Sequence, residues 1–205
     1  MTLNRFDAVI AAIDGANARD PNTIEIDGRR EPAELVYSRR MSETLARLAP
    51  DASEHLRIAA RGQHIERWTS PRGDHPVGRA GYLAWRTALK SFHAERLGTL
   101  MAAAGYAADD IARVGALVRK DRLKTDPEAQ MLEDVVCVVF LAHYIDGFMA
   151  AHFANGTEED KLADILAKTW RKMSEQGRAH ARALALPPAV PRLLERGLQR
   201  ARTPG

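Results

Sequence analysis

The stretch RGQHIERWTSPRGDHP, residues 61–76, brings together two histidines, three arginines and a tryptophan. A guanidinium group can bind phosphate oxygens through two parallel hydrogen bonds, and imidazoles act as acid–base groups or metal ligands. Between Arg61 and Arg96 six arginines and Lys90 face three acidic residues, although the whole chain has a net charge of only +3. We therefore expect a small phosphorylated ligand here. The residues expected to bind it are Arg61, Arg67, Arg72, Arg79, Arg86 and Lys90, with Trp68 either stacking on the ligand or packing beside it.

Four polar residues lie on predicted helix faces where the other residues are mainly apolar. His64 continues the apolar stripe of the third predicted helix, and His93 lies where an apolar face meets a basic one. Glu133 and Asp134 lie in the second turn of an apolar helix, beyond its free backbone N–H groups. A buried imidazole needs a hydrogen-bond partner, and a buried carboxylate needs a cation, a metal or a proton. The structural alternatives are a backbone carbonyl for His64, a solvated basic face for His93 and an arginine for each carboxylate.

Apolar residues recur every three or four positions along nearly the whole chain, which predicts helices as the elements that carry these groups. Asp51 with Glu54 forms a capping box, and Pro127 suits a first helical position. An Asp27-Gly28 turn inside alternating residues predicts a small hairpin near residues 22–30. We predict an all-α helical bundle, with helices over about 4–18, 32–48, 51–68, 80–104, 109–120 and 127–154, a break at Asn155-Gly156, another helix opened by Thr157, and short helices in the tail.

Composition restricts the class of protein. The chain has 205 residues, of which 45% are hydrophobic and 28% charged, which predicts one folded domain over residues 1–205 with C-terminal helices over 157–202. Cys137 is the one cysteine, so no internal disulfide forms and a reducing compartment is favoured. Acidic residues and histidines interrupt the most apolar stretch, so we expect no membrane anchor and a cytoplasmic location. The apolar central helix can be buried within one domain, so no oligomer is required.

Three segments occur in an order that resembles the HD superfamily of helical metal-dependent phosphohydrolases: RIAARGQHIERW, FHAERLGTLMAAAGY and IARVGALVRKDRLKTDPEAQMLEDVVCVVFL. The resemblance spans about residues 35–150 and implies an HD-like core. It implies His64, His93 and Asp134 as ligands of a divalent manganese, iron, nickel or zinc ion. Two positions depart from the family pattern, because Tyr37 lies near the place of the first histidine and Ile65 replaces the aspartate of the His-Asp pair.

Five blocks resemble more closely an uncharacterised family, catalogued as a domain of unknown function and grouped with HD-like folds: NRFDAVIAAID, QHIERW, PRGDHPVGRAGYLAWRTALKSFHAERL, LEDVVCVVFL and KTWRKMS. Some members of that family carry names taken from glutamyl-tRNA synthetase. Lys172-Met173-Ser174 resembles the start of the synthetase Lys-Met-Ser-Lys-Ser loop, but Glu175-Gln176 follows, and the His-Ile-Gly-His signature is absent. The sequence also lacks the buried strands of a nucleotide-binding sheet. We therefore reject the hypothesis that the protein is an aminoacyl-tRNA synthetase.

Two functional hypotheses follow. In the first, a divalent cation polarises a phosphoryl oxygen of a small phosphorylated metabolite or nucleotide, and Glu66 or Glu133 accepts a proton from the attacking water. In the second, a non-catalytic HD-like module binds an anionic ligand or RNA through the same basic surface. RNA is not favoured, because the chain has no basic tail and no known RNA-binding motif. A third, structural hypothesis has His64 and Asp134 bonded to each other in a scaffold.

Overall fold

The computed structural model describes residues 4–154 and 159–202, and these residues form helices and one small hairpin. The predicted all-α fold is confirmed. The predicted break at Asn155-Gly156 and the helix start at Thr157 lie outside the described residues. The elements are α1 (Arg5–Asn17), β1 (Thr23–Ile26), β2 (Arg29–Pro32), α2 (Ala33–Leu48), α3 (Glu54–Arg61), α4 (Gly78–Ala103), α5 (Ala108–Arg119), α6 (Pro127–His143), α7 (Ile145–Ala154), α8 (Glu159–Lys172), α9 (Glu175–Arg182) and α10 (Ala189–Arg200).

The hairpin forms where the Asp-Gly pair predicts it. β1 and β2 are antiparallel, and Ile26 pairs with Arg29 across the turn. Asp27 has φ 50° and Gly28 has φ 75°, so both turn residues are left-handed. Two consecutive left-handed residues make the tight turn that follows the natural twist of a two-stranded ribbon. The hairpin leads directly into α2, which carries part of the candidate site.

The third helix differs from its prediction at both ends. Ser53 caps it in place of Asp51, since the Ser53 Oγ accepts the backbone N–H of Leu56 at 3.1 Å. The helix ends at Arg61, and the predicted extension to Trp68 is wrong. Gly62 lies so close to α4 that a Cβ on it would come within 2.3 Å of the Leu97 side chain. Helix packing therefore turns the chain here, and His64 lies in the turn rather than on a helix.

The long central helix is divided. α6 and α7 take the place of one helix over residues 127–154, and their axes differ in direction by 65°. Asp126 caps α6 by accepting the backbone N–H of Glu128 at 3.0 Å, which agrees with the predicted start at Pro127. In the described part of the chain, no single helix has the length and apolar character needed to cross a membrane; α6 and α7 reach that length and composition only as a bent pair.

The chain divides into two compact units, Met1–Leu132 and Glu133–Gly205, and the boundary falls within α6. In the first unit α4 packs against α5, α3 packs against α2 and α5, and α1 packs against the three helices α2, α3 and α4. In the second unit α8 packs against α10. Ion pairs from Arg196 and Arg200 to Asp160 join those two helices at 2.5 and 2.6 Å. The prediction of one domain over residues 1–205 stays a prediction.

Candidate functional site

The turn that carries His64 is bonded to α1 at both of its ends. At one end Arg61 forms a bidentate ion pair with Asp14, with nitrogen–oxygen distances of 2.7 and 2.6 Å. At the other end the Asn17 side chain accepts the backbone N–H of Glu66 at 3.0 Å. Glu66 has φ 52°, a left-handed conformation that a residue other than glycine adopts only when its surroundings require it. The position of His64 is therefore set by the packing of α1 against the turn.

Glu66, one of the two predicted proton acceptors, binds two arginines. Its carboxylate oxygens lie 2.8 Å from the Arg19 guanidinium and 2.5 Å from the Arg96 guanidinium. Burial alone would raise the pKa of Glu66, but the hydrogen bonds and charges of Arg96 and Arg19 lower it below its ordinary value. A carboxylate with a lowered pKa is a weak base. Glu66 therefore serves here as an anchor for the turn, and its role as a proton acceptor stays a prediction.

His64 lies among side chains from α2 and α4. The Tyr37 ring stacks on its imidazole, with centroids 4.2 Å apart and planes 9° apart. The Glu34 carboxyl oxygen Oε2 lies 3.8 Å from the His64 Nδ1, and 27% of the His64 side chain stays exposed. The His93 ring is tilted against it at 5.9 Å between centroids. We call Glu34, Tyr37, His64, Arg67 and His93 the His64 cluster.

His93 is nearly enclosed, with 3% of its surface exposed. Its Nδ1 lies 2.8 Å from the Ile65 carbonyl oxygen, so this nitrogen carries the proton and donates it. Burial lowers the pKa of His93 to about 4; the bond to Ile65 opposes this shift, and the charge of Arg67 adds to it. The Nε2 is buried and has no hydrogen-bond partner among the described residues. A neutral His93 thus presents an unused lone pair within the cluster.

Arg67 supplies the positive charge common to the whole His64 cluster. Burial is the first cause that holds the pKa of His64 well below its ordinary value, and the charge of Arg67 is the next. Burial raises the pKa of Glu34 to about 7 against the opposing charge of Arg67. The guanidinium lies 5.3 Å from the Trp85 ring centroid, and in the described part of the chain it pairs with no carboxylate. The cluster therefore combines a cation with two neutral imidazoles.

Two further basic residues lie near enough to His64 to lower its pKa, Lys120 and Arg86. Arg86 belongs to α4 and its guanidinium contacts the Tyr82 hydroxyl at 3.2 Å. Lys120 ends α5 in a left-handed conformation with φ 61°. Positive charge from α4, from α5 and from the turn thus surrounds His64. This is the electrostatic setting of an anion site.

The remaining predicted ligand-binding residues have other surroundings. Arg61 is neutralised by its ion pair with an aspartate of α1. Arg72 donates to the carbonyl oxygens of His75 and Pro76 at 2.9 and 2.8 Å and so holds the loop before α4. Arg79 is exposed and Lys90 half-buried, both on α4, and Trp68 is half-buried in a short 3-10 turn. Their binding roles stay predictions.

The two predicted carboxylates of α6 belong to the second unit. Asp134 is 1% exposed, and its oxygens accept the backbone N–H of Ser174 at 2.8 Å and the Ser174 hydroxyl at 2.5 Å. Glu133 is 4% exposed and lies 3.5 Å from the Lys172 Nζ. The Lys-Met-Ser segment thus contacts both buried carboxylates: Lys172 places a positive charge near Glu133, and Ser174 donates hydrogen bonds to Asp134. The role of Glu133 as a proton acceptor stays a prediction.

The predicted metal ligands belong to different units, since His64 and His93 lie in the first unit and Asp134 in the second, and their role stays a prediction. Over residues 4–154 and 159–202, no group of three or more histidine, cysteine, aspartate or glutamate side chains is placed to hold a metal ion. His64 and His93 are neighbours, and neutral imidazoles are common metal ligands. Asp134 instead bonds to Ser174. We therefore derive no chemical step through a metal.

Sequence reasoning missed three residues around His64. Glu34 lies in the first turn of α2, where an acidic residue is expected simply to offset the helix dipole. Tyr37 follows it by three positions on the same helix, so the two share a face. Lys120 stands where a helix usually ends in glycine. The spacing of Glu34 and Tyr37 was a usable signal, but the approach of α2 to the turn was not visible in the sequence.

The first unit also contains a cavity of about 360 Å³ whose lining includes Phe6, Ile10, Leu45 and Arg57. The lining is mostly apolar. The Arg57 guanidinium lies 4.3 Å from the Phe6 ring centroid, so one cation at its edge is held against an aromatic ring. Arg57 resembles Arg67 in this contact but belongs to a different place on the unit.

The fold and the site define a helical protein in which two neutral histidines lie near an arginine, Arg67. The chain belongs to the family described as Domain of unknown function (DUF4202), which it matches over residues 7–194. Comparison with curated proteins and with solved structures gives no significant match. The family description states no activity.

Proposed function

We propose that the protein binds a small phosphorylated metabolite or nucleotide at the His64 cluster. The observation that carries this proposal is Arg67, a guanidinium whose charge acts on His64, His93 and Glu34 and that pairs with no carboxylate among the described residues. A buried or half-buried arginine is usually paired. A phosphate group would supply the anion that the protein does not.

The neutral state of the cluster supports the same proposal. Burial raises the pKa of the Glu34 carboxyl to about 7, so it adds little negative charge near Arg67 in acidic solution and less than a full charge at neutral pH. Arg86 and Lys120 add positive charge. Guanidinium groups bind phosphate oxygens with two parallel hydrogen bonds, and such charge-assisted bonds are stronger than neutral ones. We infer that phosphate binds at Arg67 and that Arg86 and Lys120 attract it.

Titration calorimetry with inorganic phosphate and with AMP tests this proposal. Arg67→Met keeps an apolar stem against Trp85 and removes the charge, and we expect it to weaken AMP binding about tenfold or more. The matched control is Arg57→Met, which removes a guanidinium that also lies on an aromatic ring. We expect the control to bind AMP like the wild type. Absence of binding by the wild type, or equal losses in both variants, would overturn the proposal.

A second candidate is the metal-dependent phosphohydrolase that the sequence predicts, together with HD-like ancestry and a cytoplasmic location. The observation that favours it is the free Nε2 of His93 beside the ring of His64, since two neighbouring imidazoles can begin a metal site. A divalent cation would activate a water or polarise a phosphoryl oxygen. The described residues supply no third ligand.

Elemental analysis of untagged protein tests the second candidate. Near-stoichiometric manganese, iron, nickel or zinc that His93→Ala loses while remaining folded would support it, and screening of phosphate esters for hydrolysis would follow. If the protein contains no metal but binds AMP, the result supports the binding function and excludes the metal-dependent phosphohydrolase. RNA is an alternative partner, and a filter-binding assay with a single-stranded oligoribonucleotide separates it from a small ligand.

A further inference from the structure

His93 presents a hydrogen-bond acceptor that the protein leaves unused. The Nδ1–H donates a hydrogen bond to the Ile65 carbonyl oxygen, with 2.8 Å between nitrogen and oxygen. This bond fixes the tautomer, so Nε2 carries the lone pair. The Nε2 is buried, and within residues 4–154 and 159–202 it has no hydrogen-bond partner. His93 is 3% exposed, so bulk water does not satisfy this atom. A hydrogen-bond donor on a ligand would satisfy this atom.

A second buried polar atom near His64 has no hydrogen-bond partner in the described part of the chain. This atom is the Glu34 Oε2, which lies 3.8 Å from the His64 Nδ1. Leaving a buried acceptor unsatisfied costs about 1–3 kcal/mol. Two such atoms near one half-buried imidazole are unusual in a native protein, where buried polar groups are nearly all bonded. A ligand that enters the cluster could bond to both.

The cluster thus offers a cation, Arg67, to an anionic group and an acceptor, the His93 Nε2, to a hydrogen-bond donor. We propose that the ligand is a phosphate ester whose organic part carries hydroxyl groups, with the phosphate at Arg67 and a hydroxyl donating to the His93 Nε2. This inference rests on the proposed function and names the class of ligand, a sugar phosphate or a nucleoside monophosphate. A phosphate ester without hydroxyl groups would satisfy Arg67 and leave His93 Nε2 unbonded.

Two probes of equal charge separate the contribution of the hydroxyl from that of the phosphate. Ribose 5-phosphate carries hydroxyl groups, and methyl phosphate carries none. We expect the wild type to bind ribose 5-phosphate about tenfold more tightly than methyl phosphate, the ratio that one buried hydrogen bond supplies. Calorimetry at one pH and one salt concentration gives both affinities.

His93→Asn assigns the difference to one atom. The asparagine side-chain amide can still donate to the Ile65 carbonyl, but the Nε2 acceptor is lost. We expect the variant to bind both probes equally and methyl phosphate as the wild type does. The matched control is His152→Asn, because the His152 Nδ1 makes the same kind of bond to the Phe148 carbonyl at 2.8 Å in the second unit. The control should keep the tenfold preference.

Nitrogen-15 NMR of the wild type gives a test that needs no variant. Donation of a hydroxyl to Nε2 shifts the His93 Nε2 resonance, and we expect ribose 5-phosphate, but not methyl phosphate, to cause this shift. Equal affinities for both probes with an unmoved Nε2 resonance would overturn the hydroxyl inference and leave phosphate binding intact. A resonance that moves only when a divalent metal is added would overturn it in favour of a cation. No binding of either probe would instead overturn the proposed function itself.

Discussion

The Glu34 carboxyl and the His64 imidazole lie 3.8 Å apart; the imidazole is neutral near pH 7, and the carboxyl, with a pKa of about 7, is there close to half ionised. In an ordinary ion pair the carboxyl pKa falls and the imidazole pKa rises. Burial, the first cause at both residues, moves them in the opposite directions, raising the pKa of Glu34 and lowering that of His64. The pair can therefore give or take a proton near neutral pH, which an ion pair would not do.

Glu34 should make stability fall as the pH rises. Its pKa is raised from 4.5 to about 7 in the folded chain, so the unfolded chain loses this proton first. The stability it contributes is complete below pH 4.5 and is lost as the pH rises through about 7. Glu34→Gln cannot ionise, so we expect it to exceed the wild type in stability at pH 8 by on the order of 3 kcal/mol and to match it near pH 5.

Urea unfolding at pH 5 and pH 8 measures this difference. Glu25→Gln, on the exposed face of the hairpin, is the control and should leave both curves unchanged. A Glu34→Gln variant that is less stable than the wild type at pH 8 would show that the carboxylate is charged and paired in the folded protein.

In the second unit, Gly177 permits the bond between α6 and the start of α9. A Cβ on Gly177 would lie 2.6 Å from the Asp134 carboxyl carbon, while Asp134 accepts the hydrogen bonds of Ser174. Gly177→Ala should therefore push the carboxylate from its donors and cost about 1–3 kcal/mol of the free energy of unfolding. Thermal and urea unfolding measure this loss.

Gly15→Ala is the control for that substitution. Gly15 is also within a helix, α1, but a Cβ there meets nothing within 4 Å. Alanine at such a place should stabilise the protein by about 0.5–1 kcal/mol. If both alanine variants changed stability in the same direction, the contact between Gly177 and Asp134 would not matter.

Lys120 combines an unfavourable backbone with a useful charge. Its φ of 61° suits glycine, and its charge is one of those that lower the pKa of His64. Lys120→Gly should relieve about 1 kcal/mol of backbone strain and weaken AMP binding several-fold. Stability and affinity would then change in opposite directions in one variant.

Asp27→Gly provides the comparison for Lys120. Asp27 has φ 50° in the hairpin turn, so glycine there relieves the same kind of strain. We expect a similar gain in stability from urea unfolding and no change of AMP affinity in calorimetry. An unchanged affinity in Lys120→Gly would show that this charge does not contribute to binding.

Local sequence signals predicted most of the elements, because apolar spacing, the Asp27-Gly28 turn and Pro127 act within a few residues. The end of α3 was not predictable in this way. RGQHIERW has helical spacing, but α3 ends at Arg61, where Gly62 lies close to Leu97 on α4. The same contact decides where His64 lies, so an error in one helix end became an error in the surroundings of the site.

The candidate site was predictable in its residue types and less so in its partners. His64, His93, Arg67 and Arg86 were named from spacing and charge, and the structure brings all four into one region. Glu34 was hidden by its position at a helix start. Glu66 was named as a possible proton acceptor, and the sequence does not show that Arg19 and Arg96 bind its carboxylate.

The three bonds from α1 and Arg19 to the turn have a consequence for regulation. Arg61 is held by Asp14, the backbone of Glu66 by Asn17 and its carboxylate by Arg19. A ligand that binds this arrangement of the turn would favour docking of the first helix to the same degree as the docked helix favours binding. Such a ligand would slow hydrogen exchange in α1. Detachment of the first helix would empty the site from a distance.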